Sequence, residues 1–289
     1  MLKIVEKKKI WFTISILIIV IGFGFMFTKG MNFGIDFRGG TQVVINMGTD
    51  FNKTDVDKIV EEYSKDAVTN QVNGIELQIK AKELNSSQVN DIFKALKEKY
   101  DLKDDALVSQ NEIGASVGRD LTTNAIVALV IAVIGMLIYV VIRFEFSFGI
   151  AAIIALLHDV LITISVYAIF GITINTPFIA AILTIVGYSI NDTIVIFDRI
   201  RENRKKLRGK SVEEIADMSI TQTMSRSINT TLTTLITIVC VYIFVPTVRD
   251  FAFPLIVGIA SGACSSIFIA SPIWCILANR QKNKKARNK

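Results

Sequence analysis

The sequence predicts a polytopic α-helical membrane protein of six transmembrane helices, with one α+β extracytoplasmic domain between spans one and two. Three observations carry this expectation. Of the 289 residues 51% are hydrophobic and only 20% are charged, where a soluble domain carries more charge and shorter apolar runs. Six apolar runs each reach the ~20 residues that a bilayer requires. The remaining chain contains only one polar stretch of domain size, residues 29–120.

Residues 1–9 hold Lys3, Lys7, Lys8 and Lys9 and form a cytoplasmic N-terminus, followed by a first span over residues 10–28. This run exceeds the ~7–15 apolar residues of a secretory signal. No small-residue cleavage site follows it before Thr28-Lys29-Gly30-Met31, so it reads as an uncleaved helix.

Within residues 29–120 the β-branched run Thr41–Met47 predicts a strand. Val56, Ile59, Val60 and Tyr63 repeat at helical spacing behind a cap at Thr54. Val68–Val72 and Ile75–Lys80 flank Asn73-Gly74, a strong hairpin signal. A second helix places Val89, Ile92, Phe93, Leu96 and Tyr100 on one face, capped by Asn85 or Ser86, and Ala106–Glu112 gives the last strand. The order β-α-β-β-α-β fits a ferredoxin-like domain. It lacks His, Cys and a Gly-rich phosphate loop, so its expected task is contact outside the membrane rather than catalysis.

Spans two to four occupy residues 121–198: Leu121–Ile142, Phe148–Phe170, and a fourth entered through Pro177 and ending at Phe197. Residues 199–226 form a basic cytoplasmic segment in which Val212, Ile215, Ala216, Ser219 and Ile220 predict an amphipathic surface helix. Spans five and six lie in residues 227–278, and a basic tail, residues 279–289, closes the chain. Lys and Arg gather at the N-terminus, in the 199–226 segment and in the tail, which places both termini in the cytoplasm. The formal charge of +6 reflects this orientation bias and gives no reason to expect nucleic acid as a partner. Cys240, Cys264 and Cys275 are odd in number and all lie in apolar runs. That argues against a disulfide framework and reads as buried space-filling.

Ionisable residues inside the spans are the candidates for chemistry. Asn191-Asp192-Thr193 interrupts the fourth span, where an Asp costs roughly 2.5–3.5 kcal/mol on insertion scales and usually faces a protein interior or an ion pathway. Asp192 lies ~9 Å of helix from the basic end of its span. Arg226 enters the fifth span from the same side, and His158-Asp159 lies near the middle of the third. Apolar surroundings favour a neutral carboxyl and a nearby Arg favours the charged form, so a carboxylate–Arg pair of changing separation takes up and releases a proton. Against this, Arg226 also fits an interfacial anchor, His158 a packing role, and Asp192 a structural hydrogen bond. Gly258, Ser261, Gly262, Ala263, Ser265 and Ser266 read as a close helix-packing face. An intramembrane protease built on Ser189, Asp192 and His158 is disfavoured, because Ser189 is followed by Ile190 in a continuous span without oxyanion donors. Asp159 and Asp192 differ in depth by about 10 Å, too far to share a proton.

Several blocks resemble the SecD/SecF family: Gly34-Ile35-Asp36-Phe37-Arg38-Gly39-Gly40-Thr41 after the first span, Val117-Gly118 before the second, Ala155-Leu156-Leu157-His158-Asp159 in the third, and Gly187 to Asn203 in the fourth. The single modest outer domain and six spans fit the branch with the smaller outer region. The resemblance implies a multi-pass bacterial inner-membrane component of the Sec export machinery, related to resistance–nodulation–division transporters. It further implies SecD, the SecYEG channel, the translocating preprotein and membrane lipids as partners, use of the proton gradient, and no cofactor. By motif, Asp192 matches the family's essential Asp and Arg226 the Arg that opens the fifth span. Asp36 and Arg38, with Gly34, Gly39 and Gly40, match the block beside the outer domain. Two other readings stay open: a half-transporter exporting a lipid or small molecule, and a scaffold of the channel without proton flow.

Overall fold

The structure is a computed structural model that describes residues 3–72, 74–82, 84–207 and 209–287. Asn73 of the expected hairpin, Arg208 of the basic segment and the tail's side chains from residue 283 onward lie outside the described residues. The chain divides into two compact units, Phe33–Ile126 and the pairing of Met1–Asn32 with Val127–Lys289.

The first apolar run folds as α1 (Lys8–Lys29). In the polar unit a short helix, α2 (Ile35–Arg38), precedes β1 (Gly40–Asn46), α3 (Lys53–Tyr63), β2 (Val68–Val72), β3 (Glu76–Ala81), α4 (Ser86–Tyr100) and β4 (Leu107–Ile113). All neighbouring strands are antiparallel, in the order β2-β3-β1-β4. Val43 and Ile45 of β1 and Leu77 and Ile79 of β3 point to one face, where Val56, Val60, Val89, Ile92 and Leu96 of the two helices bury them. The opposite orientation of alternate strand residues follows from the two-residue repeat of a strand.

Two local features differ from expectation. The cap of α3 is Asn52, whose side chain accepts from the Thr54 amide at 3.0 Å, rather than Thr54 itself. Asn and Thr are both good caps, so composition alone does not choose between them. Helix α2 was not anticipated. Gly34 is its N-cap, Asp36 lies in its first turn, and the Arg38 guanidinium stacks over Phe33 at 5.7 Å. Gly39 ends it at φ +73° with its amide on the Ile35 carbonyl at 2.8 Å.

Gly40 follows at φ +123°, and a Cβ there would stand 2.4 Å from the Ala81 carbonyl oxygen. Gly40→Ala is therefore expected to destabilise this unit by roughly 1–3 kcal/mol. Hydrogen exchange along β1 in the full chain, faster in the variant, checks it; unchanged protection would refute it.

The second unit contains α5 (Ala115–Arg143, which begins in the polar unit), α6 (Phe146–Phe170), α7 (Thr176–Lys206), α8 (Val212–Phe244), α9 (Arg249–Ser265), a π-helical turn (Ser266–Ala270) and α10 (Ser271–Arg287). Counting the last three as one stretch, six helices among the described residues are long and apolar enough to cross a membrane. In the main apolar cluster Phe148 stacks on Trp274 and meets Phe197 at a tilt, whereas α1, α5 and α8 turn Ile, Leu and Val residues outward.

Helix α8 is one unbroken helix where the sequence suggested a separate surface helix and a fifth span. No Gly or Pro lies between Val212 and Phe244, and Ser211 with Glu214 forms a capping box that starts the helix early. The apolar face of its first turns, Ile215, Ala216 and Ile220, joins the main cluster. Asp217 beside them accepts the Ile4 and Val5 amides at 3.0 and 2.9 Å, tying the N-terminal segment to α8. The cysteines also differ from expectation: Cys275 is buried, but Cys240 and Cys264 are exposed. An apolar run in a membrane helix therefore does not mean burial in protein.

Helices α7 and α9 approach closely because α9 presents glycines. A Cβ on Gly258 would stand 2.2 Å from Ile185 Cδ1, and one on Gly262 3.0 Å from Ser189 Cβ. Gly258→Val is expected to cost roughly 1–3 kcal/mol through overpacking. A lowered thermal unfolding temperature of the purified full chain checks this, and an unchanged one argues against it.

Candidate functional site

Asp192 projects from the middle of α7 toward α8. Residues 188, 191, 192 and 195 share a helix face by their i, i+3, i+4, i+7 spacing, and this face meets Arg226, Ser227 and Thr230 of α8. The carboxylate is buried, and its Oδ1 accepts from Ser227 Oγ at 2.6 Å. Its Oδ2 is also buried, yet accepts no hydrogen bond among the described residues. Asp192, Asn191, Tyr188, Val195, Thr230 and Arg226 enclose a small pocket of about 30 Å³. Tyr188 closes one side by donating to the Thr230 carbonyl at 3.0 Å. Arg226 shares the pocket with Asp192, but the two form no ion pair within 4.0 Å among the described residues. Burial of a carboxylate with one oxygen unpartnered is costly, and here the cost is concentrated on a single atom.

Asp159 on α6 is held very differently. It is 0% exposed. Its Oδ2 accepts from Ser189 Oγ of α7 at 2.6 Å and from Ser265 Oγ at 2.7 Å. Its Oδ1 accepts from Ser261 Oγ at 2.8 Å and meets His158 Nδ1 at 3.0 Å. Ser261 and Ser265 are one turn apart on α9, which aims both hydroxyls at one carboxylate. Four partners nearly exhaust what a carboxylate accepts. The two buried acids thus differ in kind: Asp159 is saturated and Asp192 is not. His158 Nε2, on the far side of the ring, is buried without a partner among the described residues.

A polar thread leads from the Asp159 side toward the last helical stretch. Thr193 Oγ1 donates to the Ser189 carbonyl at 3.3 Å and pairs with Ser266 Oγ at 2.8 Å. Ser266 opens the π-helical turn, and Ser271 Oγ donates to its carbonyl at 3.1 Å. Single π turns inside α-helices recur at functional sites. Thr193 therefore faces the last helical stretch, while Asn191 faces the Arg226 pocket. Sequence reasoning took the small residues at 258–266 as a packing face only; the glycines do pack, but Ser261, Ser265 and Ser266 are hydrogen-bonding partners. It also missed Ser227, and considered Ser189 only as a nucleophile, whereas its hydroxyl is committed to Asp159.

Toward the basic end, α7 and α8 line a wider cleft of about 570 Å³ that again includes Arg226. The Gly34–Gly40 block belongs to the other unit. Among the described residues no cluster of His, Cys, Asp and Glu is gathered for a metal ion.

A family profile described as protein export membrane protein SecD/SecF, C-terminal, matches residues 92–280, and the SecD/SecF GG motif matches residues 24–51. The chain is 38% identical to protein translocase subunit SecF of Sebaldella termitidis, over 98% of this chain and 94% of that protein. It is 37% identical to protein translocase subunit SecDF of Thermus thermophilus, over 94% of this chain and 38% of that longer protein. The crystal structure of SecDF from Thermus thermophilus, a translocon-associated membrane protein, matches with a TM-score of 0.88 at 34% identity, over 96% of this chain and 39% of the other. A second SecDF structure, in a super-membrane-facing form, matches with a TM-score of 0.73 at 33% identity.

Proposed function

We propose a function from one premise: the chain belongs to the SecD/SecF family of protein-export membrane proteins. Its role is that of a SecF-type subunit of the Sec protein translocase. Relatives in which one longer chain is named SecDF support pairing with a SecD-type partner, association with the SecYEG channel, and action on a translocating preprotein. The βαββαβ element order and the β2-β3-β1-β4 sheet support a ferredoxin-like domain between spans one and two. The Lys- and Arg-rich connections support an orientation with both termini in the cytoplasm and that domain outside.

The subunit is not a chemical catalyst; it draws on the proton gradient. The observation that carries this reading is the buried, half-satisfied carboxylate of Asp192 beside Arg226. Oδ2 has room in its charge state: a proton there removes the cost of an unpartnered buried anion, and a guanidinium moving closer removes it another way. The two solutions need different separations of α7 and α8, so proton uptake and helix position are linked. Asn191 and Tyr188 bound the pocket in which the exchange occurs. Asp159, saturated by its serines, braces α6, α7 and α9 around it, with His158 as a neighbour whose free Nε2 extends the polar path.

The test is proton flux. Proteoliposomes holding the chain and its SecD-type partner, loaded with a pH-sensitive dye, are expected to pass protons faster than protein-free liposomes under an imposed gradient. Equal rates, or flux carried equally by sodium ions in the absence of a proton gradient, would overturn the reading.

A further inference from the structure

We propose that the cleft between α7 and α8 at the basic end of the bundle binds the phosphodiester headgroup of an anionic phospholipid, with Lys205 and Arg226 as its cationic contacts. The cleft, about 570 Å³, falls within the range of small-ligand sites. Its lining includes the cations Arg199, Arg201, Lys205 and Arg226 and the carboxylates Asp198 and Glu202. Both carboxylates are already neutralised. Asp198 Oδ1 pairs with Arg201 at 2.8 Å and Arg143 at 3.8 Å, and Glu202 pairs with Arg199 at 2.8 Å and Lys206 at 2.6 Å. Lys205 and Arg226 carry no ion pair among the described residues. Gln222 adds a neutral donor, since its Oε1 accepts from Asn203 and its amide nitrogen is left for the cleft. The surplus positive charge calls for an anion.

The surroundings say which anion. The apolar run of α7 ends at Phe197, immediately before Asp198 of the cleft, so the cleft opens at headgroup level. An acyl chain extends from that level toward the bilayer core while its phosphate sits among the cations, as basic pockets between transmembrane helices hold lipid headgroups.

A consequence concerns Arg226, which lines both this cleft and the Asp192 pocket. A phosphate in the cleft competes with Asp192 for the guanidinium, so the lipid sets how firmly Asp192 holds its charge. This second part rests on the reading of Asp192 given above; binding itself does not.

Native mass spectrometry of the delipidated full chain, titrated with dioctanoyl phosphatidylglycerol, dioctanoyl phosphatidylcholine or inorganic phosphate, tests the site. One phosphatidylglycerol is expected to bind in preference to phosphatidylcholine. Lys205→Gln should weaken it about fivefold, the worth of one lysine near an anionic headgroup. Lys58→Gln, in the polar unit, should change nothing. Equal binding of the two lipids, or insensitivity to Lys205→Gln, overturns the proposal. So does inorganic phosphate that binds without being displaced by phosphatidylglycerol, which would mark a soluble-anion site. In proteoliposomes, proton flux should change with the phosphatidylglycerol fraction in the wild type and not in Lys205→Gln. Flux indifferent to lipid sinks the coupling through Arg226, and absence of flux at every composition sinks the Asp192 reading while the binding result stands.

Discussion

Asp192→Asn is expected to abolish the stimulation of preprotein export while leaving the protein inserted, folded and bound to its SecD-type partner. The substitution preserves shape. An Asn carbonyl oxygen in place of Oδ1 still accepts from Ser227 Oγ, the 2.6 Å bond that positions the side chain. The amide nitrogen then occupies the place of Oδ2, the buried atom without a partner, and removes a buried charge in doing so. Stability is therefore expected to hold or rise slightly, since an unpartnered neutral amide costs less to bury than an unpartnered charge. What is lost is titration: the amide neither takes up nor releases a proton, and Arg226 faces a permanently neutral partner. Export into membrane vesicles under an imposed gradient, measured beside the thermal unfolding of the same preparation, separates the two effects. Full stimulation by a correctly folded variant would show that proton coupling does not run through this residue.

Asp159→Ala should do the reverse, harming the fold first. Removing the carboxylate strands the hydroxyls of Ser189, Ser261 and Ser265 and the Nδ1 of His158 in a region where Asp159 itself is 0% exposed. Ser265 retains a contact to the Gly262 carbonyl at 3.1 Å, and serines on helices find carbonyls one turn back, so the losses do not simply add. A destabilisation of ~3 kcal/mol or more is expected from two or more orphaned groups at ~1–3 kcal/mol each. Asp159→Asn, which keeps a carbonyl acceptor and lets hydroxyls reverse, should cost less than half as much. Thermal unfolding of the full chain in detergent measures both. If Asp159→Ala unfolds at the wild-type temperature yet fails to support export, Asp159 acts in the proton path and not as a brace.

The contrast between these acids marks where sequence reading stopped. Six apolar runs, the polar insertion and its alternating strands were legible, because length and periodicity are local properties of the chain. Asp192 stood out for the same reason: an acid in an apolar run is visible without knowing its neighbours. The donors around Asp159 were not legible. Ser261 and Ser265 look like any small residues on a packed membrane helix, and only the pairing of α6 with α9 turns them toward the carboxylate. The extent of α8 was missed because polar residues in its first turns suggested a boundary that no helix breaker enforces. The π-helical turn has no compositional mark at all.

That turn gives the bundle a mechanical asymmetry. Helix α7 is 31 residues long, a rod of about 46 Å at 1.5 Å per residue, with neither Gly nor Pro near Asp192 on its basic side. It has no joint there, so a tilt forced at the carboxylate reappears, magnified by distance, at the basic tip. The stretch facing it across the Thr193–Ser266 bond carries its joint at that level, since an inserted residue relaxes the i→i−4 ladder. A stiff shaft thus bears on a hinged one at this hydroxyl pair and, one to two turns earlier, where Ile185 and Ser189 meet Gly258 and Gly262, and movement of the first is met by bending of the second rather than by separation of the two.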